Sequence, residues 1–123
     1  RPLLILMSEK ASKEYLEYLD GRHISWITCG KERVDLKRAC EILVEEFGVE
    51  RMAVVGGGHI NAGFLTEELL DEVSILIGSG IDGRGGMAAV FDGLPEERPV
   101  TPLKLSQVKP YKSGAVWLRY TVQ

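Results

Sequence analysis

The chain has 123 residues, 45% of them apolar and 27% charged, so it is long and apolar enough to bury a hydrophobic core. We interpret residues 1–123 as one domain. Lys and Arg number 15 and Asp and Glu number 18, which gives a net charge of −3. This balance argues against nucleic acid or an anionic membrane as a partner. No apolar run approaches the length of a transmembrane helix.

The cysteines and histidines of the chain are few and far apart. Cys29 and Cys40 are its only cysteines, and His23 and His59 are its only histidines. The four residues lack the spacing of zinc ligands, so we predict no metal site. We expect two reduced, mostly buried thiols in a cytoplasmic protein.

Strand and helix patterns alternate from the start of the chain. Leu3–Met7 is a continuous apolar run, typical of a strand buried on both faces. Residues 11–19 carry the apolar stripe of a short helix, and Ile24–Cys29 reads as the second strand. The next helix is predicted to begin after Asp35, a natural N-cap, and to end at Gly48.

The alternation continues through a triple-glycine turn. Arg51–Val55 is predicted to be the third strand, Gly56–Gly58 the turn, and residues 59–70 the following helix. Val73–Ile77 is predicted to be the fourth strand. This order favours a parallel sheet with helices on its faces and right-handed crossovers.

The pattern changes after the fourth strand. Residues 78–102 are polar and rich in glycine and proline, which predicts a long loop with a short strand or turn around Met87–Phe91. Residues 103–123 alternate apolar and polar side chains on either side of Lys112-Ser113-Gly114. They predict an antiparallel hairpin added to the sheet.

A motif in the long loop imitates a dinucleotide fingerprint. Residues 78–83 read G-x-G-x-x-G and follow a predicted strand. The fingerprint also requires a helix at the last glycine and an acidic residue about 20 positions on. Arg84-Gly85-Gly86 would not start a helix. We therefore interpret the motif as a flexible loop at a sheet edge, in a position to contact substrate.

The glycine turn is the stronger candidate site. Gly56–Gly58 removes every Cβ atom where a predicted strand feeds a helix. Bare backbone and a helix N-terminus present N–H groups that suit a phosphate. The alternative is a tight turn in which glycine serves only a steric purpose.

Together these segments resemble the riboflavin-biosynthesis reductase (RibD C-terminal domain) family of the dihydrofolate reductase-like superfamily. The resemblance rests on Gly56–Asn61, on Leu69–Val73, on Gly83–Gly86 and on Leu6-Met7-Ser8, in matching order and spacing. It implies a three-layer α/β fold with a mainly parallel sheet and a C-terminal antiparallel hairpin. It also implies that this chain lacks the N-terminal part of the family's domain.

The resemblance further implies an NADPH site. The glycine turn and the helix start would hold the diphosphate, with an unusual peptide conformation at the first two glycines, expected to be cis. Ser8 and Lys10 would bind the 2′-phosphate, with Glu9 as an unfavourable neighbour. The implied cofactor-binding residues are Ser8, Lys10, Cys29, Gly30, Lys31, Val55, Gly56, Gly57, Gly58, His59 and Ile60.

The implied reaction is NADPH-dependent reduction of a ribosylaminopyrimidine 5′-phosphate to its ribitylamino form. No acid–base pair stands out in the sequence, and Val55 stands where many family members have Glu, which leaves the substrate open. One alternative is a truncated, non-catalytic NADP-binding domain. Another is a superfamily reductase that acts on a pteridine-like substrate. A homodimer is expected through the C-terminal hairpin, with Trp117 and Tyr120 at its pairing edge.

Overall fold

The structure, a computed structural model, describes residues 2–123. These residues form two compact units, of which the first ends at Ala53 and the second is Val54–Gln123. The elements in chain order are β1 (Leu4–Met7), α1 (Lys13–Gly21), β2 (Ser25–Thr28), α2 (Leu36–Phe47), α3 (Gly58–Thr66), β3 (Glu72–Ile77), β4 (Leu103–Pro110) and β5 (Val116–Val122). The structure confirms the α/β fold class with a parallel pair of strands and a C-terminal antiparallel hairpin.

The N-terminal unit is built on the parallel pair β1 and β2, in which Leu4 lies opposite Ser25 and Met7 opposite Thr28. Helix α1 follows β1 and contacts β2. It begins where the Ser12 hydroxyl accepts a hydrogen bond from the Tyr15 amide, at 3.2 Å. Since this cap satisfies one of the amides that a helix start leaves unpaired, it fixes where α1 begins.

Helix α2 has the boundaries predicted from its sequence. The Asp35 carboxylate accepts a hydrogen bond from the Arg38 amide at 2.9 Å, and Gly48 ends the helix in the left-handed conformation, with φ 63°. Ala39 of its apolar stripe is buried, whereas Val44 and Phe47 remain 58% and 55% exposed. The cap and the stop are local signals, but the burial of the stripe depends on distant packing.

The C-terminal unit contains helix α3 and a three-stranded antiparallel sheet of order β3-β5-β4. The predicted hairpin is confirmed, since β4 and β5 pair through a turn that the Tyr111 amide closes by donating to the Ala115 carbonyl at 2.9 Å. Trp117 and Tyr120 lie on β5, the central strand, and not at the pairing edge as predicted. The edge strand of the hairpin is β4.

Two sequence predictions of strands were wrong in place or partner. Arg51–Val55 forms no strand, and the segment spans the boundary between the two units. The predicted fourth strand exists as β3, but it pairs antiparallel with β5. Of the two alternatives predicted for Met87–Phe91, the structure shows a bend and not a strand. An apolar run becomes a strand only when a neighbour completes its hydrogen-bond ladder, and the run itself does not specify that neighbour.

Candidate functional site

In the N-terminal unit, the loops that follow β1 and β2 are tied together by their backbones. The Cys29 amide donates to the Met7 carbonyl, and the Glu9 amide donates to the Gly30 carbonyl, both at 2.9 Å. Because parallel strands end at the same edge, these bonds bring the predicted residues Ser8–Lys10 beside Cys29–Lys31. The structure thus assembles five of the predicted site residues into one cluster.

Gly30 shapes the loop after β2. Its φ is 94°, and a Cβ atom at this position would lie 2.0 Å from the carbonyl oxygen of Arg33 and 2.8 Å from the amide nitrogen of Asp35. The Asp35 amide also donates to the Cys29 carbonyl at 3.0 Å. Only glycine fits this close return of the chain, because it has no side chain and tolerates positive φ.

The side chains at these loops are charged and exposed. The Lys10 ammonium forms an ion pair with the Glu32 carboxylate, and the two side chains are 63% and 73% exposed. The Ser8 hydroxyl accepts a hydrogen bond from the Lys10 amide at 3.4 Å, so the hydroxyl and the ammonium come from adjoining residues. The unfavourable acidic neighbour of Lys10 is therefore Glu32, which the sequence did not single out, in addition to Glu9.

Both cysteines are free thiols, as predicted. Cys29 is buried, and burial raises the pKa of its thiol, with a further rise from the negative charge of Asp35. Burial also raises the pKa of the Cys40 thiol. Cys29 is only 3% exposed, and its amide and carbonyl are hydrogen-bonded to Met7 and Asp35, so this residue shapes the cluster from inside the unit.

In the C-terminal unit, the glycine turn leads directly into α3. The peptide bond between Gly56 and Gly57 is cis, as the resemblance implied. Gly57 is the N-cap of α3, and no side chain caps this helix start. Helices α1 and α2, by contrast, are capped by Ser12 and Asp35. The amides of the first turn of α3 therefore have no side-chain acceptor and are suited to an anion.

The three glycines of the turn differ in what surrounds them. A Cβ atom on Gly57 would have no atom within 4 Å, so this side of the turn is open. A Cβ atom on Gly58 would lie 2.5 Å from the Ala89 carbonyl oxygen and 3.0 Å from Asp92 Cβ. Gly56 has φ 101°, which favours glycine. Both readings of the turn thus have support, with open backbone at Gly57 and a steric requirement at Gly58.

The steric requirement comes from a loop segment that the sequence did not connect with the turn. The Asn61 side-chain Nδ2 donates to the Val90 carbonyl at 2.7 Å, and the Asp92 main-chain amide donates to the Gly58 carbonyl at 3.2 Å. The dipeptide Asp92-Gly93 is a turn signal that could have marked a bend here. The position of this bend against α3 could not be inferred, because it depends on distant contacts such as that between Asn61 and Val90, which are 29 residues apart.

The remaining predicted site residues of this unit lie at the surface. Val55 is 94% exposed and Ile60 is 52% exposed. The G-x-G-x-x-G motif of residues 78–83 is a loop, and no helix begins at Gly83, as the sequence predicted. The Arg84 guanidinium lowers the pKa of the Asp82 carboxyl by hydrogen bonding to it. The charged groups of Asp82 and Arg84 in this loop are therefore paired with each other.

Two further kinds of site were searched for within residues 2–123. No group of three or more His, Cys, Asp or Glu side chains in this range is placed to hold a metal ion. None of the helices described in this range is long and apolar enough to cross a membrane.

Comparisons with known proteins identify the family. The model of the RibD C-terminal domain matches residues 1–117. The chain is 31% identical, over 123 residues, to the 2,5-diamino-6-ribosylamino-4(3H)-pyrimidinone 5′-phosphate reductase of Methanothermobacter thermautotrophicus. The matched region includes 99% of this chain and 56% of that protein. It therefore spans about half the length of this relative.

Solved structures show the same fold. A pyrimidine reductase-like protein from Corynebacterium diphtheriae matches with a TM-score of 0.79 and 18% identity, over 98% of this chain and 49% of that one. RibD of Acinetobacter baumannii matches with a TM-score of 0.74 and 16% identity, over 98% of this chain and 31% of that one. The fold, the glycine turn and the family match agree, and the chain belongs to the RibD C-terminal domain family.

Proposed function

We propose that this chain is the nucleotide-binding part of an NADPH-dependent reductase of riboflavin biosynthesis. The proposed reaction reduces a ribosylaminopyrimidine 5′-phosphate to the ribitylamino form. The family supports the pathway, and the 31% identical relative is named as a reductase of such a pyrimidinone phosphate. NADPH, when bound, supplies the hydride. The chain's own residues bind and orient the reactants.

The observation that carries the proposal is the uncapped start of α3 at Gly57. No side chain accepts from the first-turn amides, and no atom lies within 4 Å of where a Gly57 Cβ would be. A diphosphate needs both features, since its oxygens must approach the main chain closely and meet N–H donors at a positive helix end. We propose that Gly56, Gly57 and the amides of Gly58–Ile60 hold the diphosphate.

The cluster of the N-terminal unit is proposed to bind the adenosine end of the cofactor. Ser8 and Lys10 offer a hydroxyl and an ammonium for the 2′-phosphate, and charge-assisted hydrogen bonds of this kind favour NADPH over NADH. Gly30 and Lys31 flank the ribose, and the buried Cys29 supports them from inside the unit. Val55, as an exposed apolar side chain next to the turn, offers van der Waals contact only.

The sharpest test is Gly57→Ala. The new methyl group meets no protein atom, and the φ of −71° is one that alanine adopts, so the melting temperature should change little. The methyl group would occupy the space of a phosphate, and we expect the NADPH dissociation constant to rise about tenfold or more. Titration by quenching of tryptophan fluorescence measures the binding.

Gly21→Ala is the matched control, since its added methyl group also meets no protein atom and it lies at the end of α1. This variant should bind NADPH as the unaltered protein does. If the unaltered protein binds neither NADPH nor NADH at millimolar concentration, the reductase proposal is wrong. If the Gly57→Ala protein and the unaltered protein bind NADPH with equal affinity, the glycine turn is not part of the cofactor site.

We also propose a homodimer through the C-terminal hairpin, formed at β4. This edge strand exposes Leu103, Leu105 and Val108, which are 41%, 51% and 52% accessible and lie on one face because a bulge near Ser106 restores the alternation. An exposed apolar edge strand favours pairing with another copy. Leu105→Lys should shift the mass measured by light scattering from dimer to monomer, and a monomeric unaltered protein would contradict this assignment.

A further inference from the structure

The segment Ala89–Gly93 of the long loop lies against the first turn of α3. Two hydrogen bonds connect them, from Asn61 Nδ2 to the Val90 carbonyl oxygen at 2.7 Å and from the Asp92 amide to the Gly58 carbonyl oxygen at 3.2 Å. One bond comes from a side chain of the helix and the other from the backbone of the segment. The segment is therefore held at two points along the helix start.

Glycine on each side permits this contact. A Cβ atom on Gly58 would lie 2.5 Å from the Ala89 carbonyl oxygen, and one on Gly93 would lie 2.8 Å from His59 Cδ2. Gly93 also has φ 79°, a conformation that L side chains rarely adopt. Gly58 thus lets the Ala89 backbone approach the helix start, and Gly93 makes room for the His59 side chain.

Asn61 lies beside the glycine turn as well as the segment. Its main-chain amide donates to the Gly57 carbonyl at 3.0 Å, and a Cβ atom added to Gly56 would lie 3.7 Å from its Nδ2 atom, which donates to Val90. The Asn61 side chain therefore stands between the turn that leads into α3 and the loop that covers the helix start. A change of the Asn61 side chain removes the donor to Val90 but leaves the main-chain hydrogen bond from Asn61 to the Gly57 carbonyl in place.

We propose that Asn61 is a positioning residue, and that it and segment 89–93 hold the glycine turn in the orientation that receives the cofactor diphosphate. The proposal rests on the proposed function for the identity of the ligand. Its physical basis is preorganisation. A turn that is already fixed loses little entropy when it binds, whereas a loosened turn must be ordered at the expense of affinity.

The test uses Asn61→Ala, which removes the donor to Val90. Thr66→Val is the matched control, since it removes a hydrogen bond of the same helix, from the Thr66 hydroxyl to the Ala62 carbonyl at 2.9 Å, which does not reach the segment. Asn61→Gln keeps the amide on a longer side chain and serves as the conservative variant. Global stability is followed by urea unfolding for all three.

The first measurement is amide hydrogen exchange of Asp92 by NMR, without ligand, because this main-chain amide donates to the Gly58 carbonyl. We expect exchange to become about tenfold faster in Asn61→Ala, to recover in part in Asn61→Gln, and to stay unchanged in Thr66→Val. Unchanged exchange in Asn61→Ala would overturn the proposal. This measurement does not depend on what the turn binds.

The second measurement compares two ligands, NADPH and adenosine 2′,5′-bisphosphate, which lacks the diphosphate bridge. Asn61→Ala should raise the dissociation constant of NADPH about tenfold and leave that of the bisphosphate within about twofold. Equal loss for both ligands would indicate general destabilisation and contradict the positioning role. If the unaltered protein does not bind NADPH, the proposed function fails, and the exchange data alone decide whether Asn61 holds the turn.

Discussion

The Lys10 ammonium is ion-paired with the Glu32 carboxylate, so the loop after β1 and the loop after β2 meet through opposite charges. Both side chains are more than half exposed, and exposed pairs of this kind contribute little to stability. The ion pair holds the Lys10 side chain in place, but it also engages the ammonium that the phosphate would bind. An incoming phosphate would have to replace a carboxylate as its partner.

This relationship predicts how the two nucleotides are distinguished. Lys10→Ala should reduce the preference for NADPH over NADH about tenfold, and Glu32→Gln should increase it, because the amide no longer competes for the ammonium. Dissociation constants of both nucleotides measured at low salt would show this. Lys13→Ala is the control, since Lys13 lies 3.7 Å from Glu17 in an exposed pair on α1. A preference that neither Lys10→Ala nor Glu32→Gln alters would exclude Lys10 from the 2′-phosphate site.

Substitutions of Gly30 and Gly48 separate the energetic cost of a positive φ from the cost of steric overlap. Both have positive φ, at 94° and 63°, but a Cβ atom on Gly48 would meet nothing, whereas one on Gly30 would lie 2.0 Å from the Arg33 carbonyl oxygen. Gly48→Ala should lower the free energy of unfolding by about 1 kcal/mol. Gly30→Ala should lower it by about 3 kcal/mol or more, since the loop must also move. Urea unfolding measures both, and equal losses would contradict the predicted overlap.

The buried Cys29 thiol predicts that the N-terminal unit becomes less stable at alkaline pH. The pKa of Cys29 is raised by burial and by Asp35, so the unfolded chain releases this proton at lower pH than the folded one does. The resulting stabilisation is complete below the pKa of the unfolded thiol and is lost as pH rises through the folded pKa. Urea unfolding from neutral to alkaline pH should show this loss.

Asp35→Asn isolates the charge, because asparagine caps a helix as well as aspartate does. The variant should retain α2 and lose less stability at alkaline pH, since one cause of the raised pKa of Cys29 is gone. Cys29→Ala should remove the contribution of this thiol entirely. If the free energy of unfolding falls with pH equally steeply in Cys29→Ala and in the unaltered protein, the loss of stability at alkaline pH comes from other groups.

Arg119 and Glu72 connect β5 and β3 by a bidentate pair, with Nε–Oε1 and Nη2–Oε2 distances of 2.8 and 2.7 Å. The pair is partly exposed, so we expect a coupling energy of about 0.5–1 kcal/mol in a double-mutant cycle to alanine. The single contact between Arg38 and Glu41 on α2 should give about 0.3–0.5 kcal/mol. Both coupling energies should decrease in high salt. A coupling energy near zero between Arg119 and Glu72 would show that the position of Arg119 is set by Trp117 and Gln107 instead.

The sequence by itself determined the features with short-range causes. Asp35 and Gly48 set the ends of α2, and Lys112-Ser113-Gly114 set the hairpin turn, because a cap or a turn is decided by a few adjacent residues. The glycine turn and the family were likewise readable from residues 56–61 and their neighbours.

Only the tertiary structure decided which strands pair and what surrounds the turn. Arg51–Val55 has the composition of a strand but forms no strand, and β3 pairs antiparallel with β5. The hydrogen-bond ladder of a strand depends on a partner that the strand's own residues do not encode. Glu32 as the partner of Lys10, and segment 89–93 as the support of Asn61, arise in the same way. Both contacts join residues that are distant in sequence and that local periodicity cannot relate.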